Sequence, residues 1–267
     1  MISAIRKSDI PGLNSLPPED WKFDYEDFLN CFIADDFFYG FIMTQDDKII
    51  GTGNVLIKGE IAWLANIIVL EAYRGRGLGF QITQFLVDFS IEKGCKTQLL
   101  IATQLGEHVY RKIGFRKITA YQCFDSTESK AHQLPDAIRL LALSDYDMVC
   151  AMDFQANGED RSHLIKKFYP SGFGYFNADH ELLGCYLPDF GRGLVLSKVE
   201  TAGIELLKLK HAEKDRRTML PIENKVGIKF LAQAGLSKGS RASKMVLGEE
   251  RSWHPDYIYS YGSGYCG

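Results

Sequence analysis

Residues Arg74-Gly75-Arg76-Gly77-Leu78-Gly79 place three glycines and two arginines in six consecutive positions. The run follows an apolar stretch, Ile67-Ile68-Val69-Leu70. It precedes Ile82, Phe85, Leu86 and Phe89, which recur at helical spacing. Glycines let a backbone turn tightly and bring its N–H groups close to a ligand. A helix start directly behind them adds unpaired N–H groups and a positive dipole end. Strand, glycine turn and helix N-terminus together make an anion cradle suited to phosphate. The arginines add charge-assisted donors.

Three kinds of cradle can be compared. A Walker loop requires Lys-Ser or Lys-Thr after its glycines, and neither is present. A dinucleotide fingerprint fits Gly75 and Gly77 but requires a third glycine where Phe80 stands. The remaining pattern is Gln or Arg, two residues, Gly, one residue, then Gly or Ala, and Arg74, Gly77 and Gly79 match it. Here the sequence resembles the GNAT (general N-acetyltransferase) superfamily. The resemblance implies that the loop from Arg74 through Gly75, Arg76, Gly77, Leu78, Gly79 and Phe80 holds the pyrophosphate of acetyl-CoA. It also implies that the preceding strand splays from its neighbour, so that the backbone of Ile68 and Val69 binds the pantetheine arm and polarises the acetyl carbonyl.

The stretch Thr103 to Phe115 resembles a second family pattern, N-x-x-A-x-x-x-Y-x-x-x-G-F. Tyr110, Gly114 and Phe115 match, while Thr103 stands for the usual Asn and Gly106 for the usual Ala. By this resemblance Tyr110 is the general acid that protonates the departing CoA sulfur, and Thr103 touches the cofactor arm. A Glu on the strand entering the loop serves as base in several relatives. Here that strand offers Asn66, with Glu60 at its start either as a base or as a solvated strand-end residue. In some multi-domain relatives the C-terminal carboxylate enters the first domain's site. The aromatic, glycine-rich tail Trp253 to Gly267 is expected to dock, bringing Gly267 near that site. In the second half, Asp153 and Gly158-Glu159-Asp160-Arg161 resemble a segment of bacterial tandem acetyltransferases. Asp160 and Arg161 either meet substrate or form a helix cap with a surface ion pair.

Bulk properties frame these motifs. A length of 267 residues suggests two domains. Hydrophobic residues at 46%, charged residues at 24% and a formal net charge of −3 describe an ordinary globular protein and give no support for nucleic-acid or membrane-surface binding. No apolar run approaches the ~20 residues of a membrane span. The six cysteines lack C-x-x-C spacing. They read as buried or free thiols in a reducing cytoplasm, and no metal site is expected.

The elements that must position the motifs follow from periodicity. Strands are expected at 3–6, 37–43, 49–57, 61–70, 98–103 and 115–124. Helices are expected near Ser8-Asp9-Ile10-Pro11 with Ser8 as cap, at 24–34, after the glycine loop to Gly94, and at 108–113. Thr127 to Pro135 is polar and reads as a linker. Ala137–Leu141 restarts the pattern of a first strand, and Ser144 to Asp147 starts a helix.

The second half repeats the first at a shift of 121: Gly114 falls on Gly235, Phe115 on Leu236, Thr103 on Asn224, and Phe85-Leu86 on Leu206-Leu207. The glycine loop falls on Val195 to Glu200, which has no glycine, and Tyr110 falls on Leu231. The expected fold class is α/β (α+β): two tandem GNAT-like domains, each a mixed, mostly antiparallel sheet flanked by helices. Residues 1–127 form the acetyl-CoA-binding domain, and 136–267 a degenerate domain on the acceptor side. The expected function is transfer of acetyl from acetyl-CoA to a primary amine of a small molecule or peptide by direct attack. The alternative is a GNAT-like sensor that holds acyl-CoA without catalysis.

Overall fold

The structure, a computed structural model, describes residues 1–18, 23–126, 133–212 and 216–266. Its elements run β1 (Ile2–Ala4), α1 (Ile10–Leu13), α2 (Tyr25–Phe32), β2 (Phe38–Gln45), β3 (Lys48–Lys58), β4 (Ile61–Val69), α3 (Leu78–Glu92), β5 (Thr97–Ala102), α4 (Gln104–Ile113) and β6 (Arg116–Asp125). They continue β7 (Ile138–Leu140), α5 (Tyr146–Asn157), α6 (Ser162–Phe168), β8 (Phe173–Phe176), β9 (Leu182–Leu187), β10 (Leu194–Ser197), α7 (Glu200–Lys210), β11 (Arg217–Pro221), α8 (Lys225–Gln233), β12 (Ser237–Gly248) and β13 (Ile258–Ser260).

The chain divides into two compact units, and they do not follow a simple cut between halves. The first comprises Met1–Arg116, Met245–Glu250 and Gly264–Cys266. The second comprises Lys117–Lys244 and Arg251–Ser263, with Gly267 outside the described residues. Thus β6 beyond Arg116, expected with residues 1–127, belongs to the second unit, and the end of β12 belongs to the first. Most of the expected linker, 127–132, lies outside the described residues.

In the first unit the strands lie in the order β1-β2-β3-β4-β5, followed by the end of β12. Neighbours are antiparallel except β4 and β5, which are parallel. The β2–β3 hairpin closes on Asp46 and Asp47 at φ 48° and 57°, the left-handed pair that a two-residue turn requires. Asp24 caps α2 by accepting a hydrogen bond from the Asp27 amide at 2.9 Å. One sheet face packs Phe41, Val55, Leu64 and Leu100 against Ile82, Leu86 and Val87 of α3. The six cysteines are free thiols, four of them buried.

The second unit contains β12-β6-β11 and an antiparallel sheet in the order β13-β10-β9-β8-β7. Its core joins Phe124, Val195 and Leu220 to Leu206, Leu207 and Leu231 of α7 and α8. The repeat read at a shift of 121 recurs as local geometry. Thr103 caps α4 by accepting from Gly106 N at 3.3 Å, and Asn224 caps α8 by accepting from Gly227 N at 2.8 Å. Both helices end on a left-handed glycine, Gly114 at φ 113° and Gly235 at φ 83°. The following amides, Phe115 and Leu236, bond back to Tyr110 O and Leu231 O at 3.0 and 3.2 Å.

Two starts differ from expectation. Ser8 lies inside a short 3-10 turn and makes no cap, so α1 begins at Ile10 with Pro11 in its first turn. Helix α4 begins at Gln104, four residues before His108, because the Thr103 side chain supplies the missing amide partner.

Candidate active site

The glycine loop joins the end of β4 to the start of α3 as its composition implied. Gly75 and Gly77 take φ 77° and 78°, with no neighbour within 4 Å of a built Cβ at either position. Glycine is needed there for conformation, since space is ample. Gly77 caps α3, whose first intrahelical bond runs from Gln81 N to Gly77 O at 3.1 Å. The amides of Leu78, Gly79 and Phe80 precede that bond and point out of the helix start, open to an anion. Both arginines are exposed, and each commits one donor to the loop's own backbone. Arg74 Nε donates to Val69 O at 3.1 Å, and Arg76 donates to Ala72 O at 3.3 Å while lying over the Tyr73 ring at 5.3 Å.

Strand β4 delivers this loop and also opens a cleft. Its parallel pairing with β5 is confined to Ile61↔Thr97, Ala62↔Gln98 and Trp63↔Leu99. Beyond Trp63 the backbone edge of β4 has no β5 partner, a length of about 20 Å at ~3.3 Å per residue. Ile68 is buried and Val69 half-buried, so their side chains serve the core while their backbone lies along this edge.

A bulge aims the free edge. Asn66 and Ile67 of β4 face the single residue Gly53 of β3, between the pairs Asn54↔Ala65 and Thr52↔Ile68. Asn66 sits at φ 50°, a left-handed position that Asn tolerates better than most residues. Its Nδ2 donates to Asn54 Oδ1 at 2.8 Å. Asn54 is fully buried, and its own Nδ2 has no partner. Next to it on the same face of β3, Thr52 Oγ1 donates to Phe41 O at 2.9 Å and shares a 2.8 Å hydrogen bond with the Tyr25 hydroxyl. Burial raises the Tyr25 pKa, against the opposing effect of the Thr52 hydrogen bond. A lone polar residue within the apolar run Ala62 to Leu70 was the available sequence signal for Asn66. Its partner Asn54 had none, because the pairing joins two strands.

Tyr110 is half-buried on α4, its ring edge-on to Phe115 at 6.1 Å. Burial raises its pKa to about 12, so it keeps its proton at neutral pH. The ring lies back over Gly106, where a built Cβ would stand 2.8 Å from Tyr110 Cε2 and 3.3 Å from the hydroxyl oxygen. Glycine in place of the expected Ala therefore sets where this phenol rests. Thr103 is exposed at the cap of the same helix. His108 is exposed as well.

Other sequence candidates lie elsewhere. Glu60 is bonded to Lys96 at 2.5 Å, at the far end of β4, about 30 Å along the strand from Val69. Tyr265 packs on Phe28 and Phe32 of α2 at 5.1 and 5.2 Å within the first unit, whereas Trp253 to Ser263 belong to the second, and Gly267 is outside the described residues. Asp160, one residue before the Arg161 N-cap position of α6, accepts from Ser162 N at 2.9 Å. Arg161 is not a surface partner: it pairs with Asp153 at 2.5 Å with both side chains 1% exposed. Among the described residues no three His, Cys, Asp or Glu side chains group as a metal site.

Residues 5–115 match the family model described as "Acetyltransferase (GNAT) family". The matched stretch is less than half of the chain. Over 77 residues it is 30% identical to a probable glucosamine 6-phosphate N-acetyltransferase of Oryza sativa subsp. japonica. That match spans 26% of this chain and 46% of the relative, a little under half its length.

The GNAT fold extends over nearly the whole chain. A putative acetyltransferase from Pyrococcus horikoshii superposes with a TM-score of 0.84 at 18% identity, covering 100% of this chain and 95% of the other. A tandem GNAT protein from the clavulanic acid biosynthesis pathway superposes at 0.66 and 11% identity, covering 94% and 99%. At such identities the likeness shows the fold. The family-model match and the fold are what the chain shares with acetyltransferases. No helix among the described residues is long and apolar enough to cross a membrane.

Proposed function

We propose that this GNAT protein transfers acetyl from acetyl-CoA to a primary amine of a small molecule or peptide, using the first unit as its cofactor site. The observation that carries the reading is the open β4 edge beyond Trp63, which ends in a left-handed glycine loop and the free amides of α3. An extended ligand with amide groups along its length and phosphates at one end matches that arrangement. When bound, acetyl-CoA supplies an activated thioester.

Residues of the chain then divide the work. Leu78, Gly79 and Phe80, with Gly75 and Gly77 shaping the turn, hold phosphate through backbone N–H groups. The bulged backbone around Ile67, Ile68 and Val69 orients the acetyl carbonyl and donates to its oxygen as charge develops. Tyr110 would be the group that meets the departing sulfur. A phenol with a pKa of about 12 is several units weaker as an acid than a thiol near 8.5. Outright transfer would cost about 1.4 kcal/mol per unit of that gap. Tyr110 therefore acts by donating a hydrogen bond to the developing thiolate, with the proton itself drawn from the attacking amine or from water. A hydrogen bond to a charged group is worth about 1.5–3 kcal/mol, or roughly 10- to 150-fold in rate.

The test is release of free CoA from acetyl-CoA with a panel of primary amines, an amino sugar phosphate among them because of the rice relative's name. Gly77→Glu is expected to abolish cofactor binding by placing a side chain and a negative charge in the phosphate site. Tyr110→Phe is expected to lower turnover by about 10- to 150-fold while sparing acetyl-CoA binding. Unimpaired turnover in Tyr110→Phe would remove the phenol from the mechanism. Binding of acetyl-CoA without CoA release for any amine would favour a sensor.

A further inference from the structure

The second unit repeats the strand–helix–strand–helix order that makes the cofactor cleft of the first: β10, α7, β11 and α8 correspond to β4, α3, β5 and α4. In the first unit no strand among the described residues pairs with β4 on its β5 side beyond Trp63. In the second, β13 fills the gap between the corresponding strands. Val195 and Leu196 of β10 pair antiparallel with Ser260 and Ile258, and Tyr261 N donates across to Met219 O of β11 at 2.8 Å.

Polar side chains fasten this segment. Asn224, which aligns with Thr103 at the shift of 121, donates from its Nδ2 to Asp256 O at 2.9 Å and Ile258 O at 3.0 Å. The same side chain caps α8 through its oxygen. Lys210, in the last turn of α7, is buried and donates to Ser260 Oγ at 2.9 Å and to Gly193 O at 2.9 Å. Arg192 N donates to Gly262 O at 2.8 Å.

The ring of Tyr259 occupies the space between the two helices. A Cβ built at Gly203 of α7 would stand 2.3 Å from its Cζ, and one at Gly227 of α8 would stand 3.3 Å from its Cδ1. Gly227 aligns with Gly106, over which Tyr110 lies in the first unit. Residue 231, the counterpart of Tyr110, is a buried leucine, and Tyr259 of the tail supplies the aromatic ring instead.

We infer that the second unit retains a working strand-binding cleft whose ligand is the chain's own segment from Asp256 to Tyr261, held as an extended peptide. The cleft is filled, so it takes no cofactor. The loss of the glycine loop there follows, because a ligand without phosphates needs no anion cradle. This inference rests on the proposed function only for the nature of the ligand in the first unit; the occupancy itself is internal to the second.

Two measurements on the full-length chain test it. Calorimetric titration with acetyl-CoA is expected to give one equivalent per chain, and none for Gly77→Glu. Two equivalents, or residual binding in Gly77→Glu, would overturn the inference. Absence of any binding in the wild-type chain would instead sink the proposed function, and the second measurement then decides alone. That measurement is amide hydrogen exchange at Ile258, Ser260 and Tyr261. These amides are expected to be protected, to stay protected under saturating acetyl-CoA, and to exchange about tenfold faster in Asn224→Ala. Ser260→Ala, a milder change that removes one acceptor of Lys210, is expected to shift the same amides in the same direction. Exchange that rises on adding acetyl-CoA, or that neither variant changes, would overturn the inference.

Discussion

The bulge in β4 can be tested by reversing a familiar order of stability. In an ordinary strand Ala is more stable than Gly by about 0.5–1 kcal/mol, because Gly loses more backbone freedom on folding. Residue 66 is not ordinary: its φ is 50°. Replacing Asn66 by either residue removes the 2.8 Å hydrogen bond to Asn54 and leaves the buried Asn54 carbonyl without its donor, which costs about 1–3 kcal/mol. Ala then adds about 1–2 kcal/mol for the left-handed backbone. Gly avoids that penalty. The balance leaves Asn66→Gly more stable than Asn66→Ala by about 0.5–1 kcal/mol, with both below the wild type. Urea denaturation midpoints of the full-length variants measure the order.

Activity should follow the same order. If Ala flattens the bulge, β4 slips by one residue and the faces presented by Ile68 and Val69 exchange. The KM for acetyl-CoA is then expected to rise more in Asn66→Ala than in Asn66→Gly. Finding Ala at least as stable as Gly, with equal KM values, would refute the claim that a left-handed bulge aims this strand.

Two further outcomes are expected. In Gly106→Ala the new Cβ meets the Tyr110 ring at 2.8 Å, a clash of about 1–3 kcal/mol that the better helix propensity of Ala offsets by about 1 kcal/mol. Stability should fall by no more than about 2 kcal/mol while turnover falls about tenfold, the effect of a displaced phenol on a hydrogen bond of this kind; unchanged turnover would separate Gly106 from the placement of Tyr110. His211 is buried against Thr218 Oγ1 at 2.9 Å, and burial first, then the charges of Lys210 and Arg216, lower its pKa to about 4. The unfolded chain takes up this proton near pH 6.5 and the folded chain near 4, so stability falls as pH drops through that window, by up to about 3 kcal/mol. His211→Gln should flatten the denaturation free energy between pH 7 and 4, and an unchanged slope would assign the acid sensitivity to other groups.

Much of the glycine turn was legible from local pattern. Glycines 75 and 77 between an apolar run and a helical period demand a left-handed turn at a helix start, whatever surrounds them. The caps at Thr103 and Gly114 are equally local, as is their echo at Asn224 and Gly235. What depended on distant partners was hidden. Arg161 read either as a substrate contact or as part of a helix cap with a surface ion pair, because spacing alone did not show that Asp153 would bury with it. Asn54 lay unremarked in a strand, since only pairing with the β4 bulge gives its amide a function. The departure at Gly106 became intelligible once the Tyr110 ring was seen resting on it.

Sequence alone therefore determined the pieces: the glycine turn, the helix caps, the repeat, and a second copy lacking the glycine loop. Tertiary structure decided how strands were shared and which clefts stayed open. It placed β6 beyond Arg116 with the second unit and the end of β12 with the first, let β4 part from β5 beyond Trp63, and laid β13 into the corresponding gap of the second unit. The physical reason is range. Turns and caps are settled by residues three or four apart, whereas backbone groups on a strand edge bond to whichever segment the whole chain brings beside them.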